Sequence, residues 1–369
     1  MKLNKFNSLI GLCVATVAVS CSDALVDDVN RYPVGGEETD MISFIVADDY
    51  TRGGSFGNRP GLSTRGSVTT SDNIYTEGNA FAIYGDMTDS SKSIVLFNGD
   101  DVTYDNSNQW TYSNPRYWFA DYEYSFVAMY PKTIPGLKDL NYENNRLAFS
   151  YTLPSNYSDA TDILIAGHRR YYDSSSSDPT SVELSFGHIM TRLNFVAKID
   201  AIAKDLGIEI KKISIKGVAS NATYEVLPAD IKTGFSETSD FSVAAWKISQ
   251  TPGRKSLAKE IVTSQIEINT KEDGSKEILL FPSSDPLLVV PQSVTSDIIV
   301  ELTYSQTGKN DQTVEGRLRT AASAHGYQWA QGRSYTYTFN LGVEDFILFD
   351  KPVVEAWDED EGGKYIVVG

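Results

Sequence analysis

Apolar and polar residues alternate with a period of two over much of the chain. Across residues 122–130, Tyr122, Tyr124, Phe126, Ala128 and Tyr130 fall on one face; across 298–304, Ile298, Val300, Leu302 and Tyr304 do the same. A period of two is the signature of strands, and clean alternation predicts antiparallel strands with one buried face. Similar runs, bounded by Gly, Pro, Asn and Ser, lie at 41–46, 80–85, 93–97, 110–112, 162–166, 182–186, 192–198, 209–217, 277–281, 287–290, 297–304, 333–340 and 365–368. Helical spacing is confined to two short stretches, 202–206 and 243–248. Regular strands without long helices between them predict an all-β fold built of antiparallel β-sandwiches.

The same pass divides the chain. Residues 21–40 are polar, with Pro33, Gly35 and Gly36, and read as a flexible tether. A glycine- and arginine-rich stretch, 51–66, carries Arg52, Arg59 and Arg65 and predicts an exposed loop. The run YYDSSSSDP at 171–179 has nothing to bury and marks a boundary between an N-terminal β-sandwich domain, 41–178, and a C-terminal one, 179–345. Residues 346–369 form a C-terminal segment beyond both.

Composition narrows the function. The 369 residues carry 32 Lys+Arg against 49 Asp+Glu, a formal net charge of -17. That balance argues against a nucleic-acid partner, which calls for a basic footprint. Three histidines leave little material for a zinc site or a histidine base. With 21 Tyr, 16 Phe and 5 Trp, the chain has the composition of a secreted or surface β-protein.

The N-terminus carries an address. Lys2 and Lys5 precede an apolar run, residues 9–19, that is too short to span a bilayer, where about 20 residues are needed. It fits a secretory signal at 1–20. Ala18-Val19-Ser20-Cys21 follows and resembles the lipobox of bacterial lipoproteins, in which the cysteine thiol is fatty-acylated and becomes the new N-terminus. Cys21 is then the lipidation site and the outer membrane a partner through the lipid anchor. The other cysteine, Cys13, lies within the signal, so the mature chain has no disulfide to rely on. Loss of residues 1–20, which hold Lys2 and Lys5 and no acid, takes the net charge from -17 to -19.

Five stretches, in order, resemble the Bacteroidetes fimbrillin family of type V pilins and anchor proteins. They are Leu62-Ser63-Thr64-Arg65-Gly66 after the 41–46 run; the block from Ala80 through Trp110 and Tyr117-Trp118 to Pro131; Asp162–Ala166 with Phe186, His188 and Met190; Leu288-Val289-Val290-Pro291-Gln292; and Trp329 to Tyr337. The resemblance implies two tandem transthyretin-like sandwiches of Greek-key type. It also implies assembly by strand exchange with other pilin subunits: a trypsin-like, arginine-specific protease removes an N-terminal strand, and an extended segment of the next subunit takes its place. Here the excised strand would be Met41, Ile42, Phe44 and Val46, and the cleavage candidates Arg65, Arg59 and Arg52, with Arg65 at the family's position. In an anchor or terminator subunit the strand would stay. The donor would come from the C-terminal segment, with Phe346, Ile347, Trp357, Tyr365 and Val367 as apolar anchors. The acidic run Asp358–Glu361 leaves open whether that segment is a donor or a final strand.

Neither an enzyme nor a cofactor protein is expected. Gly53-Gly54-Ser55-Phe56-Gly57 fits a nucleophile-elbow spacing, yet Asn58-Arg59-Pro60-Gly61 follows and cannot open the helix such an elbow needs. Asp105-Asn106-Ser107-Asn108 and Asp358–Glu361 lack the spacing of a calcium loop. His188, beside a strand, reads as structural. The rival to a structural or adhesive pilus component is a surface glycan-binding lipoprotein using exposed aromatics such as Tyr117 and Trp118.

Overall fold

The alternating aromatic strands fold into one curled sheet. Its eight strands run in the order Gly187–His188, Leu164–Tyr172, Tyr122–Tyr130, Ala80–Thr88, Ser93–Tyr104, Trp110–Thr111, Phe44–Val46 and Val182–Leu184. The structure is a computed structural model. It describes residues 41–46, 74–90, 92–173, 181–226, 246–249, 253–318, 328–341, 349–350 and 352–356. All of these belong to one compact unit, 36–369.

The curl is visible in the rings. Phe44 and Phe126 lie four strands apart in the sheet order, yet their ring centroids are 5.9 Å apart. His168 Nδ1 lies 3.1 Å from the Glu183 carbonyl oxygen, tying the last strand back to the second. Ile42, Phe44, Phe81, Phe97, Phe126 and Phe186 fill the enclosed core.

The opposite face of the same sheet is buried too. Along Ala80–Thr88 and Tyr122–Tyr130, Phe81, Ile83, Phe126 and Ala128 face the first core, while Ala82, Tyr84, Val127 and Met129 join a second. The half-buried reading of 122–130 is therefore corrected. The burial pattern iiBBBBBBB shows both faces covered, because a further layer lies on the outside of the sheet. The strand Ile299–Ser305 keeps the alternation expected of it.

The second core is enclosed by three further sheets. One runs Glu267–Thr270, Lys276–Leu279, Thr191–Ile199, Arg333–Asn340, Val353–Ala356, with Thr191–Ile199 and Arg333–Asn340 parallel. Another runs Arg254–Glu260, Glu209–Ala219, Ile299–Ser305, Gln312–Arg317. The third runs Trp246–Ile248, Asn221–Val226, Arg146–Thr152, Leu137–Glu143. Of the two helical expectations, 202–206 forms a 3₁₀ turn, Ala201–Leu206, and the described part of 243–248 is a strand. Trp246 spends its ring on Phe149 and Tyr224 rather than on a helix face. The all-β class holds: the elements of the described residues are strands and short 3₁₀ turns. No helix of the described residues is long and apolar enough to cross a membrane.

The third sheet joins distant parts of the chain. Its hairpin turns at Asn144-Asn145, both at positive φ (51° and 60°), as a two-residue type I′ turn requires. Arg146–Thr152 precedes the 178/179 boundary in sequence, and it pairs with Asn221–Val226 beyond it, Thr152 opposite Asn221 and Leu147 opposite Val226.

That hairpin covers a buried acid. Asp86, 2% exposed, accepts from the Tyr142 hydroxyl at 3.1 Å, and the Asn145 carboxamide lies against its carboxylate. Burial pushes its carboxyl up to about 6, against the lowering effect of the Tyr142 bond. The folded value lies above the unfolded one, so the folded state holds a proton that the unfolded state releases. Its contribution is full below the unfolded value of about 3.9 and is lost as pH rises through about 6. Asp86→Asn is expected to match wild type near about pH 4 and to exceed it by about 2 kcal/mol above about pH 7. Urea unfolding at the two pH values checks this; equal differences at both would refute it.

A buried cation pins the other side of the second core. Lys259 is 1% exposed; its Nζ reaches Asp285 Oδ2 (2.7 Å), Leu280 O (2.7 Å) and Gln265 O (2.9 Å). Asp285 Oδ2 also accepts from the Tyr157 hydroxyl, at 2.9 Å. Lys259 thus fastens the strand Arg254–Glu260 to the turn Thr263–Gln265 and to Leu280 and Asp285, and Asp285 carries the link on to Tyr157.

Candidate functional site

The short strand Phe44–Val46 lies between two neighbours. On one side it runs parallel to Val182–Leu184, with Phe44, Ile45 and Val46 opposite Val182, Glu183 and Leu184. On the other it is antiparallel to Trp110–Thr111, Phe44 opposite Trp110. The residues before it continue the contact. Ile42 N–H donates to Arg116 O (2.8 Å), Val182 N–H donates to Ser43 O (2.7 Å), and Met41 bridges Tyr117.

Tyrosines complete the edges where the ladder ends. The Tyr112 hydroxyl donates to Ile42 O (2.7 Å) and the Tyr75 hydroxyl to Val46 O (2.9 Å). Burial raises the Tyr112 phenol above its ordinary value, and a hydrogen bond from the Arg116 backbone N–H and the guanidinium's charge pull it back. Ser43 and Ser181 hydroxyls meet at 2.7 Å. These partners satisfy backbone groups that a three-residue strand would otherwise leave bare.

Side chains of the segment divide cleanly. Ile42 (0% exposed), Phe44 (3%) and Val46 (7%) point into the first core, whereas Met41 and Ile45 are exposed. Phe44 is the centre of the arrangement, edge-on to Phe81, Phe97, Tyr112 and Phe126 with centroids 5.5–6.3 Å away. Fully burying a side chain of this size contributes about 1.5–3 kcal/mol. Of the four residues expected in the removable strand, three are inserted and Met41 is not.

The groove holds its own strand from both sides. It offers hydrogen-bonding edges on both sides and apolar pockets at alternate positions, which is what strand addition requires. The sequence pattern placed strands at both walls, 110–112 and 182–186, but not their pairing with 44–46. Trp110–Thr111 is only two residues long, and Val182–Leu184 is too short to announce a parallel partner more than a hundred residues away.

Residues 64–357 match the sequence profile of the fimbrillin-like family. The chain belongs to that family. Family membership supports a role in pili or adhesion. Among solved structures, this fimbrillin-like chain is similar to a candidate cell adhesion protein from Bacteroides uniformis, at 17% identity and TM-score 0.48, over 86% of this chain and 99% of that one. It is similar to another from Bacteroides ovatus, at 13% identity and TM-score 0.45, over 76% and 88%. The fimbrial anchor protein Mfa2 from Porphyromonas gingivalis also matches, at 9% identity and TM-score 0.31, over 77% and 91%. No curated protein matches the chain.

The remaining motif residues of this fimbrillin lock the core. Gln292 accepts from Ala219 N–H (2.9 Å) and donates to Val290 O (3.0 Å), acting as a piece of backbone. Trp329 Nε1 donates to the Tyr337 hydroxyl (2.8 Å). His188 Nδ1 lies 2.9 Å from Asp162 Oδ1, both side chains buried. Asp105 Oδ1 accepts from Ser107 and Gln109 N–H groups, closing its own turn. No group of three or more metal-ligating side chains occurs among the described residues. Trp118, expected to be exposed for sugar binding, is 3% exposed beneath Tyr124 and Arg170, so it offers no stacking face. Cys21, Arg52, Arg59, Arg65, Phe346, Ile347, Trp357, Tyr365 and Val367 lie outside the described residues. The described end of the chain, Val353–Ala356, pairs antiparallel with Arg333–Thr336 of its own sheet.

Proposed function

We propose that this protein is a structural or adhesive subunit of a cell-surface pilus, exported as a lipoprotein through Cys21 and assembled by strand exchange after cleavage at an arginine. The observation that carries the reading is the seating of Ile42, Phe44 and Val46 in a groove with hydrogen-bonding edges on both sides. Such a groove, once emptied, exposes unpaired backbone and apolar pockets together, and an extended segment of a second subunit satisfies both. Other pilin subunits are then the partners, with the outer membrane and an arginine-specific protease at either end of the export route.

Treatment of the purified precursor with a trypsin-like protease is expected to remove the segment containing Phe44 and to produce a ladder of polymers on unboiled gels. Arg65→Ala is expected to shift or abolish the cut. Assembled fibres that retain an intact N-terminus beyond Cys21 would sink the polymerising reading. A Cys21→Ala variant is expected to leave the membrane fraction; retention there would remove the lipid anchor from the proposal.

A further inference from the structure

We infer that the open end of the curled sheet binds a neutral oligosaccharide, with Tyr171 as its stacking platform. Four residues on adjacent strands lie side by side: Ser93 opposite Thr88, Thr88 opposite Glu123, and Glu123 opposite Tyr171. Paired residues of an antiparallel sheet project to the same face, and two contacts establish the row independently. The Thr88 hydroxyl donates to Ser93 Oγ at 3.1 Å, and Arg169 Nε, one position along the same face, meets Glu123 Oε1 at 2.6 Å. Strands lie about 4.8 Å apart, so three spacings give a strip about 14 Å long, enough for a short oligosaccharide.

The chemistry of the strip favours a sugar over other occupants. Tyr171 is 59% exposed and is the single aromatic ring on the row, which suits the apolar face of a pyranose. Beside it stand two hydroxyls, a carboxylate and a guanidinium, a mixture of donors and acceptors suited to vicinal hydroxyl groups. A protein partner would call for a larger apolar patch. Glu123, the exposed Asp121 next to the row and the net charge of -17 disfavour sialylated or sulfated chains. The inference does not depend on strand exchange, since the row lies outside the groove.

Purified full-length protein is tested against an array of neutral gluco-, galacto- and manno-trisaccharides printed beside sialylated and sulfated chains. The expected result is binding of at least one neutral trisaccharide. Tyr171→Ala is expected to weaken it about tenfold, the equivalent of one stacking contact of about 1.4 kcal/mol. Tyr171→Phe keeps the ring and is expected to bind within about threefold of wild type, and both variants should melt as wild type does because the ring is exposed. Failure to bind any neutral trisaccharide, preference for the anionic chains, or wild-type binding by Tyr171→Ala would each overturn the inference.

Discussion

Lys259→Ala is expected to lower the unfolding free energy by about 3–5 kcal/mol, a large fraction of the roughly 5–15 kcal/mol that holds a typical domain. All three ammonium protons of Lys259 have acceptors, one of them charged, and the ring of Phe281 lies 5.0 Å from Nζ. Burial lowers the Lys259 pKa and Asp285 opposes that shift. Removing the lysine leaves the Leu280 and Gln265 carbonyls without that donor and strips Asp285 of its counter-charge. Removing both charges is a different perturbation. Lys259→Met combined with Asp285→Asn keeps the volume and leaves no ion, and is expected to recover most of the loss. Urea midpoints of the two singles and the double close the cycle. A single variant within 1 kcal/mol of wild type would show that the pin contributes little.

The second large effect is expected at Phe44. Phe44→Ala vacates a pocket bounded by four aromatic rings and should cost about 3–5 kcal/mol. Ile45→Ala, on the exposed side of the same strand, should stay within about 0.5 kcal/mol. The two neighbours thus separate the effect of the pocket from that of the backbone ladder. Amide exchange gives the finer readout: in Phe44→Ala, the amide of Val182, which donates to Ser43 O, should lose protection ahead of the central strands. Equal protection in the two variants would mean that the strand is held by its hydrogen bonds and not by its ring.

Much of this fold was legible because its central strands carry apolar residues at alternate positions. Ala80–Thr88, Tyr122–Tyr130, Thr191–Ile199 and Arg333–Asn340 all lie where the pattern placed them. Two of the strands that the pattern missed bury little or bury the wrong kind of residue. Arg254–Glu260 turns only Leu257 and Lys259 inward, and a buried lysine looks like surface in a sequence. Leu137–Glu143 buries Tyr142 alone, so no alternation marks it. Burial on both faces of Tyr122–Tyr130 was invisible for a related reason: Glu123 and Ser125 read as a polar face, yet Ser125 lies under the outer layer. At the site, Ile42, Phe44 and Val46 announced themselves by spacing. Their receptor did not, because it is made by register between strands from three regions of the chain, and register is a property of packing.

The groove also sets an order in time. Ser43 and Ser181, which meet across it, are 138 residues apart. Closing so long a loop carries an entropic cost that is recovered only after the far partner has arrived. A chain delivered from its N-terminus exposes the 42–46 segment long before residues 182–184 exist to hold it. The strands from Ala80 to Tyr172 pair across shorter separations than that closure and can form first, leaving the place of the 44–46 strand open. The earliest part of the domain to be made is therefore the last to be fastened.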